Sequence, residues 1–325
     1  MLSRVANSIY WMNRYIERAE NHARFIGVTF NLILDMPKHE KAQWEPMLYA
    51  SGDYDTFKSF YPQSNRSNIL RFMSFDERNP NAILSCVHKA RENARSIREI
   101  ISKEMWEHIN QFYHSCKEAS RREKWKIDDW QDFFNQVKMD SQLYYGIVDS
   151  TFTRNEGYQF SRLGRYLERA DKTSRFVDVK YFILLPDVHE VGSNLDVLQW
   201  SAVLKSVSAF NMYRQAYLTI NPAQIVEYLM LDRYFPRSLF YCLKEVEEAI
   251  IQITGHQNKQ HPAVRIIGKL RSEMEYNDIN DIFKIGLHES LDIFQQKLNK
   301  VGNVIHESYF ALKPEPETEE QEMEQ

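Results

Sequence analysis

The feature that most constrains this fold is a line written twice: residues 14–28 read RYIERAENHARFIGV and residues 165–179 read RYLERADKTSRFVDV. Eight of the fifteen positions are identical at an offset of 151 residues, and Ile16/Leu167, Glu20/Asp171 and Ile26/Val177 are conservative exchanges. Each copy has helical periodicity. From Arg4 to Leu34 there is no Pro and only one Gly, so Ser3 is expected to cap a single helix of about 30 residues. Its core face is Val5, Ile9, Met12, Ile16, Ala19, Ala23 and Ile26, at spacings of three and four. The second copy predicts a helix over Glu156–Leu184.

Breakers are scarce elsewhere too. Ten Gly and ten Pro in 325 residues, with 43% hydrophobic content, leave few turns to write and predict an all-α chain. Residues 36–80 hold four Pro and one Gly, and read as short helices around TFKSFY and NILRFMSF. The run NAILSCVHKARENARSIREIISKEMWEHINQFYHSC reads as one long or once-bent helix, with Ser102 a break and new cap. Another helix is expected over Trp125–Ile147. Pro186 ends the second copy's helix; later helices start near Pro222, Pro236 and Pro262, where a missing N–H costs nothing. The expectation is a bundle of nine to twelve helices over residues 1–312, in repeat halves of about 1–150 and 151–312. Residues 313–325 form a separate acidic tail, read as disordered.

Charge and cysteine content exclude several classes. The formal charge of −4 includes six Glu in the terminal PEPETEEQEMEQ, so the body carries +2 and has no basic footprint for nucleic acid. Cys86, Cys116 and Cys242 show no CxxC pairing, which suits a reducing cytoplasm. Neither a signal peptide nor an apolar membrane-spanning run is present.

On a helix, Arg14, Glu17, Arg18, Asn21 and Arg24 share an arc of about 120° opposite the apolar face, and Arg165, Glu168, Arg169, Lys172 and Arg175 share the matching arc. Identity retained between copies argues for specific bidentate geometry, because a loose surface pair gains little from keeping Arg over Lys. Three uses stay open: a solvated face of i,i+4 pairs, a buried network fixing helix register, or a cleft holding a carboxylate or phosphate. Each arc sets three Arg against one Glu, favouring the cleft. Arg91, Arg95 and Arg98 add a third stripe, weakly echoing the first at an offset of 71. Asp232 is expected to order the loop before Pro236, with Arg237 and Ser238 in the first turn of a helix, a position that attracts anions.

Conventional catalytic signatures are missing. There is no GxGxxG, GxxxxGK, HExxH or GxSxG, and no His follows an acid at the i+3 spacing of di-iron bundles. Glu104 and His108 are read as a solvated pair. No metal or cofactor is expected, and the chain reads more as a non-enzyme than an enzyme. The weak catalytic candidates are Glu17 and Glu168 as general bases.

The segments MLSRVANSIYWMNRYIERAENHAR, ARENARSIREIISKEMWEHIN, GYQFSRLGRYLERADKTSR and LDRYFPRSL together resemble the bacterial alpha-E family, over about Leu2–Leu239. Asn13 departs from it, since the family tends to carry Gly or Ala there, as the second copy does at Gly164. The resemblance implies an all-helical protein encoded beside a circularly permuted ATP-grasp protein, often with a transglutaminase-like protein and sometimes a proteasome-like peptidase, in amide-bond or peptide-modification pathways. Positions matching its motifs are Arg14, Glu17, Arg18, Glu20, Arg24, Asn93, Arg95, Arg98, Glu104, Trp106, Arg165, Glu168, Arg169, Arg175, Asp232, Pro236 and Arg237. The implied role is that of an accessory or co-catalytic partner whose Arg/Glu-lined cleft binds a carboxylate. A stand-alone enzyme and a purely structural protein are the alternatives.

Overall fold

A computed structural model of the chain describes residues 1–35, 44–184 and 194–311. Those residues form fifteen helices and no strand. The first seven are α1 (Ser3–Asp35), α2 (Glu45–Ser51), α3 (Tyr54–Phe60), α4 (Arg66–Ser74), α5 (Ile83–Ser96), α6 (Lys103–Ser120) and α7 (Ile127–Thr151). They are followed by α8 (Glu156–Leu184), α9 (Asn194–Ser206), α10 (Phe210–Ala216), α11 (Pro222–Leu231), α12 (Leu239–Thr254), α13 (Pro262–Tyr276), α14 (Ile279–Ile285) and α15 (Leu287–Tyr309). The number exceeds the nine to twelve expected because α2, α10 and α14 have only seven residues each, too short to show a period. The breaks at Pro37 and Pro186, residues 191–193 of VGSN and the acidic tail lie outside the described residues, and Asn194 opens α9.

The bundle is built around α1 and α8, which run parallel in contact. Tyr10 lies against Gly164, Arg18 against Glu168, and Phe25 stacks on Phe176 with ring centroids 5.2 Å apart. Phe25 and Phe176 are equivalent positions of the repeat, so a pseudo-twofold axis passes between their rings. The surrounding helices follow it. α5 packs on α1 as α12 packs on α8; α6 and α7 are matched by α13 and α15; α2 crosses to α8 while α9 crosses to α1. Ile9, Met12, Ile16, Ala19, Ala23 and Ile26 are fully buried as the periodicity requires, and each larger aliphatic side chain there contributes about 1.5–3 kcal/mol of transfer free energy.

Local chemistry sets the ends of these elements. Ser102 caps α6 by accepting from the Met105 amide, the break and new cap that the sequence places there, with residues 97–102 interrupting the helical run. Ser3 is the first helical residue rather than the cap. Pro222 and Pro262 occupy first helical turns, but Pro236 does not: Ser238 is the cap of α12, so Pro236 and Arg237 lie in the preceding turn. Asp232 orders that turn by accepting from the Tyr234 and Phe235 amides at 2.8 and 2.6 Å. Gly164 is required by close approach, since a Cβ there would sit 2.3 Å from the Tyr10 carbonyl oxygen. At the equivalent position Asn13 uses its amide instead, donating to the Ile9 carbonyl and accepting from Ser161 and Tyr144.

Candidate functional site

The duplicated charges face neither solvent nor separate sides. They meet between α1 and α8. Glu17 accepts a fork from Arg169 at 2.8 Å on each oxygen, and Glu168 accepts a fork from Arg18 at 2.6 and 3.0 Å. Because Glu168 and Arg169 are the second copies of Glu17 and Arg18, the two forks exchange partners about the twofold axis, the reciprocity of an isologous interface. Both glutamates are fully buried.

Each fork anchors a cluster. Around Glu17, Arg237 donates to Glu17, Asn21 and Glu20 at 3.0, 2.9 and 2.8 Å, and Arg24 donates to Glu20 and to the Ser208 hydroxyl. Around Glu168, Arg14 donates to the carboxylate at 2.8 Å, Lys172 lies 3.7 Å from it and 3.0 Å from Asp171, and Arg175 donates to Asp171. Asn81 accepts from Arg18 and donates to Asp53. Arg237 and Asn21 on one side are thus replaced by Asn81 and Lys172 on the other, so each side keeps one cation and one amide.

Burial alone would raise the Glu17 carboxyl, but the charges of Arg169 and Arg237 outweigh it and hold the group well below the usual carboxylate range. Glu168 is held low in the same way by Arg18, Arg14 and Lys172, and Asp171 is brought to about 2 by Lys172 and Arg175 against its own burial. His22 is buried with no hydrogen bond to either ring nitrogen. Burial, then Lys172 and Arg18, push its pKa down to about 3, so it is neutral. Permanently ionised carboxylates saturated by guanidinium donors are poor proton acceptors near neutrality, a geometry that argues against Glu17 and Glu168 as general bases.

The two clusters differ in access. Beside Glu17 a pocket of about 310 Å³ is lined by Glu20, Arg24, Tyr145, Arg165, Arg169 and Arg237, among others. Arg165 makes no ion pair among the described residues; its guanidinium lies 3.8 Å over the Tyr145 ring and its Nε is buried without a hydrogen bond. Burial and then the Arg237 charge lower the Arg24 pKa, and Lys138 is lowered by burial and Arg24. Surplus positive charge collects here. The matching hollow beside Glu168, about 260 Å³, holds Arg14 and Asp171, the counterparts of Arg165 and Glu20. There Arg14 is engaged by Glu168 and the Tyr10 hydroxyl.

The third stripe does not join them. Arg91 pairs with Asn110 and Glu92, and Arg95 with Glu92. Arg98 falls beyond the end of α5 and lies over Trp106, 4.7 Å from its ring. Arg95 and Arg98 line a separate groove with Arg4. The offset of 71 is therefore no structural repeat, since α5 corresponds to α12 and not to α1. Glu104 is exposed, and His108 is hydrogen-bonded to the Asp140 carbonyl. No cluster of potential metal ligands occurs among the described residues.

Sequence reasoning missed a second repeat. FDERNPNAILSC, residues 75–86, and LDRYFPRSLFYC, residues 231–242, share Asp, Pro and Cys at an offset of 156. These segments place Asn81 and Arg237 at equivalent points, with Cys86 and Cys242 each directed at the carbonyl of its proline. Gly52 and Ser208, also 156 apart, both adopt positive φ (78° and 56°). They face Arg175 and Arg24 respectively.

Together these features define an internally duplicated, all-helical domain organised by reciprocal buried Glu-Arg pairs. The chain belongs to the Alpha-E family, described as a predicted alpha-helical domain with a conserved ER motif, which matches residues 1–310. A Glu-Arg step occurs in both copies of the repeat, at 17–18 and 168–169. Uncharacterized proteins of Mycobacterium bovis and of Mycobacterium tuberculosis strain CDC 1551 are each 20% identical over 335 residues, 95% of this chain. A third, from Mycobacterium tuberculosis strain H37Rv, is 19% identical. The chain spans 37% of the length of these relatives. No solved structure matches it. Among the described residues no helix is long and apolar enough to cross a membrane.

Proposed function

We propose that this chain is a cytoplasmic, ligand-binding partner of an ATP-grasp protein in an amide-bond or peptide-modification pathway, holding a small carboxylate-bearing molecule beside Glu17. The observation that carries the reading is the pocket of about 310 Å³ where Arg24, Arg165, Arg169 and Arg237 meet a single lining carboxylate, Glu20. Four guanidiniums against the two carboxylates Glu17 and Glu20 leave surplus positive charge at the hollow, which favours an anion. The sequence has no phosphate-binding loop, so nucleotide chemistry would come from the partner. The relatives have most of their length outside the matched region, ample for a second module. A transglutaminase-like protein is a further candidate partner.

Calorimetric titration with glutarate and with inorganic phosphate tests the pocket: binding is expected, and Arg165→Met, which breaks no ion pair, removes it without lowering the melting temperature. Absence of binding by both anions and by a free dipeptide refutes the pocket reading. A separate titration with the neighbouring ATP-grasp protein tests the partnership, which fails if no complex forms at micromolar concentration.

The reciprocal forks support a structural reading of the remaining charges. Glu17, Glu168, Arg18 and Arg169 fix the register of α1 against α8, and the ligand site is the part of the network left open.

A further inference from the structure

Three buried polar atoms without a hydrogen-bond partner belong to residues lining this one pocket: Glu20 Oε2, Arg165 Nε and the Tyr145 hydroxyl. Glu20 is 1% exposed and Tyr145 5%. Buried groups in folded chains are almost always partnered, so three orphans just behind the wall of one hollow point to the chemistry of a ligand that would reach them on entering. Their chemistry is specific. All the guanidinium bonds to Glu20 fall on Oε1, from Arg24 Nε and Nη2 and from Arg237 Nη2 at 2.8, 2.6 and 2.8 Å. Oε2 is left as an acceptor. Arg165 Nε is a donor, and burial raises the Tyr145 hydroxyl well above its ordinary pKa, so it too keeps a proton to donate.

A bare anion answers only the two donors and adds negative charge beside an unmet carboxylate oxygen. A ligand that answers all three brings an anionic oxygen for Arg165 and Tyr145 and a charged N–H for Glu20. We propose that the pocket takes a zwitterion of the amino-acid or short-peptide class, with Arg165 and Tyr145 donating to its carboxylate and Glu20 accepting from its ammonium group. A pocket of about 310 Å³ is at the small end for ligand sites and admits one or two residues. The inference rests on the anion-binding reading above and adds the cationic half of the ligand.

The test is calorimetric titration of the full chain with alanyl-alanine, its N-acetyl derivative, its C-terminal amide and inorganic phosphate. The free dipeptide is expected to bind, and each capped form to bind at least about tenfold more weakly, the effect of losing one charge-assisted hydrogen bond. Glu20→Gln is expected to abolish the preference for the free amine while keeping the preference for the free carboxylate. Equal affinity for the free and N-acetyl forms overturns the zwitterion proposal, as does tighter binding of phosphate than of the dipeptide; in both cases the anion site stands. Failure of all four probes overturns both. Should Glu20→Gln unfold the chain, the capped pair on the unaltered protein decides.

Discussion

The contact of Gly164 with Tyr10 makes a paired substitution informative, because one chemical change should act with opposite signs at two helical positions. Replacing a mid-helix Gly by Ala ordinarily stabilises by about 0.8–1 kcal/mol. At Gly146, exposed on α7 with nothing within 4 Å of a new Cβ, Gly146→Ala should gain that amount. At Gly164 the same methyl would lie 2.3 Å from the Tyr10 carbonyl oxygen, 3.1 Å from its carbon and 3.3 Å from its Cα. The obstacle is backbone, so α1 and α8 must part by about 1 Å to restore ordinary contact. Overpacking costs about 1–3 kcal/mol, and the separation also stretches two forks one turn away, at 2.6–3.0 Å. Less the propensity gain of about 1 kcal/mol, overpacking leaves a loss of up to about 2 kcal/mol, to which the stretched forks add, so Gly164→Ala should destabilise. Urea unfolding followed by circular dichroism measures both, with the slope required to stay constant so that the midpoint reports stability. If Gly164→Ala proves neutral or stabilising, the close parallel packing of α1 on α8 is refuted.

Glu17→Gln or Glu168→Gln removes one buried negative charge and leaves its guanidinium partners uncompensated, which should cost about 3–5 kcal/mol by the same measurement; a loss under about 1 kcal/mol would show the forks to be solvated. Acid should unfold the protein through these groups. Glu17, Glu168 and Asp171 have carboxyls depressed in the folded state, so their contribution is complete above the ordinary range near pH 4.5 and is lost as pH falls toward their folded values, about 2 for Asp171. A melting temperature unchanged from pH 6 to pH 3 contradicts this. The three thiols are buried, and burial pushes Cys86 and Cys242 up to about 12 and Cys116 higher still. A thiol reagent at pH 8 should therefore label none in the native protein and all three after denaturation, whereas fast native labelling would place a cysteine at the surface.

Much of the scaffold was legible because it obeys a local period. α8 begins and ends where the second copy predicts, α1 lies within a residue or two, and the apolar face of Ile9, Met12 and Ile16 is the buried one. The short helices α3 and α4 fall where TFKSFY and NILRFMSF predict them, while α2 goes unread, since its seven residues scarcely complete two turns. The fate of the charges was harder to read. Arg91 and Arg95 form a stripe as regular as Arg14 and Arg18, yet only the latter meet a buried glutamate of another helix, because that pairing depends on a carboxylate arriving from about 150 residues away. The duplicated Glu-Arg step carried that information: a parallel pair of such helices can satisfy Glu17 with Arg169 only by satisfying Glu168 with Arg18. Arg237 was found for a mistaken reason, as part of a helix start, when its true marker was the second, three-identity repeat. Asn81 was missed because an amide standing where the other half has an arginine looks like divergence, until Lys172 opposite Asn21 shows the charge has only changed places.

A twofold axis between parallel helices begins by making everything in duplicate, including two chambers. Fusing the copies into one chain frees the flanks to differ while the shared forks stay fixed. Here Asn81 and Asp53 occupy one flank, whereas Arg237, Pro236 and Ser208 frame an opening on the other. Neither chamber is wholly owned by one copy, since each carboxylate is gripped from the opposite helix. Arg169 is tied to α1 through Glu17, and α1 is tied back to α8 through Arg18 and Glu168, so the two sides share their anchors. Specialising one chamber leaves the other wired to it.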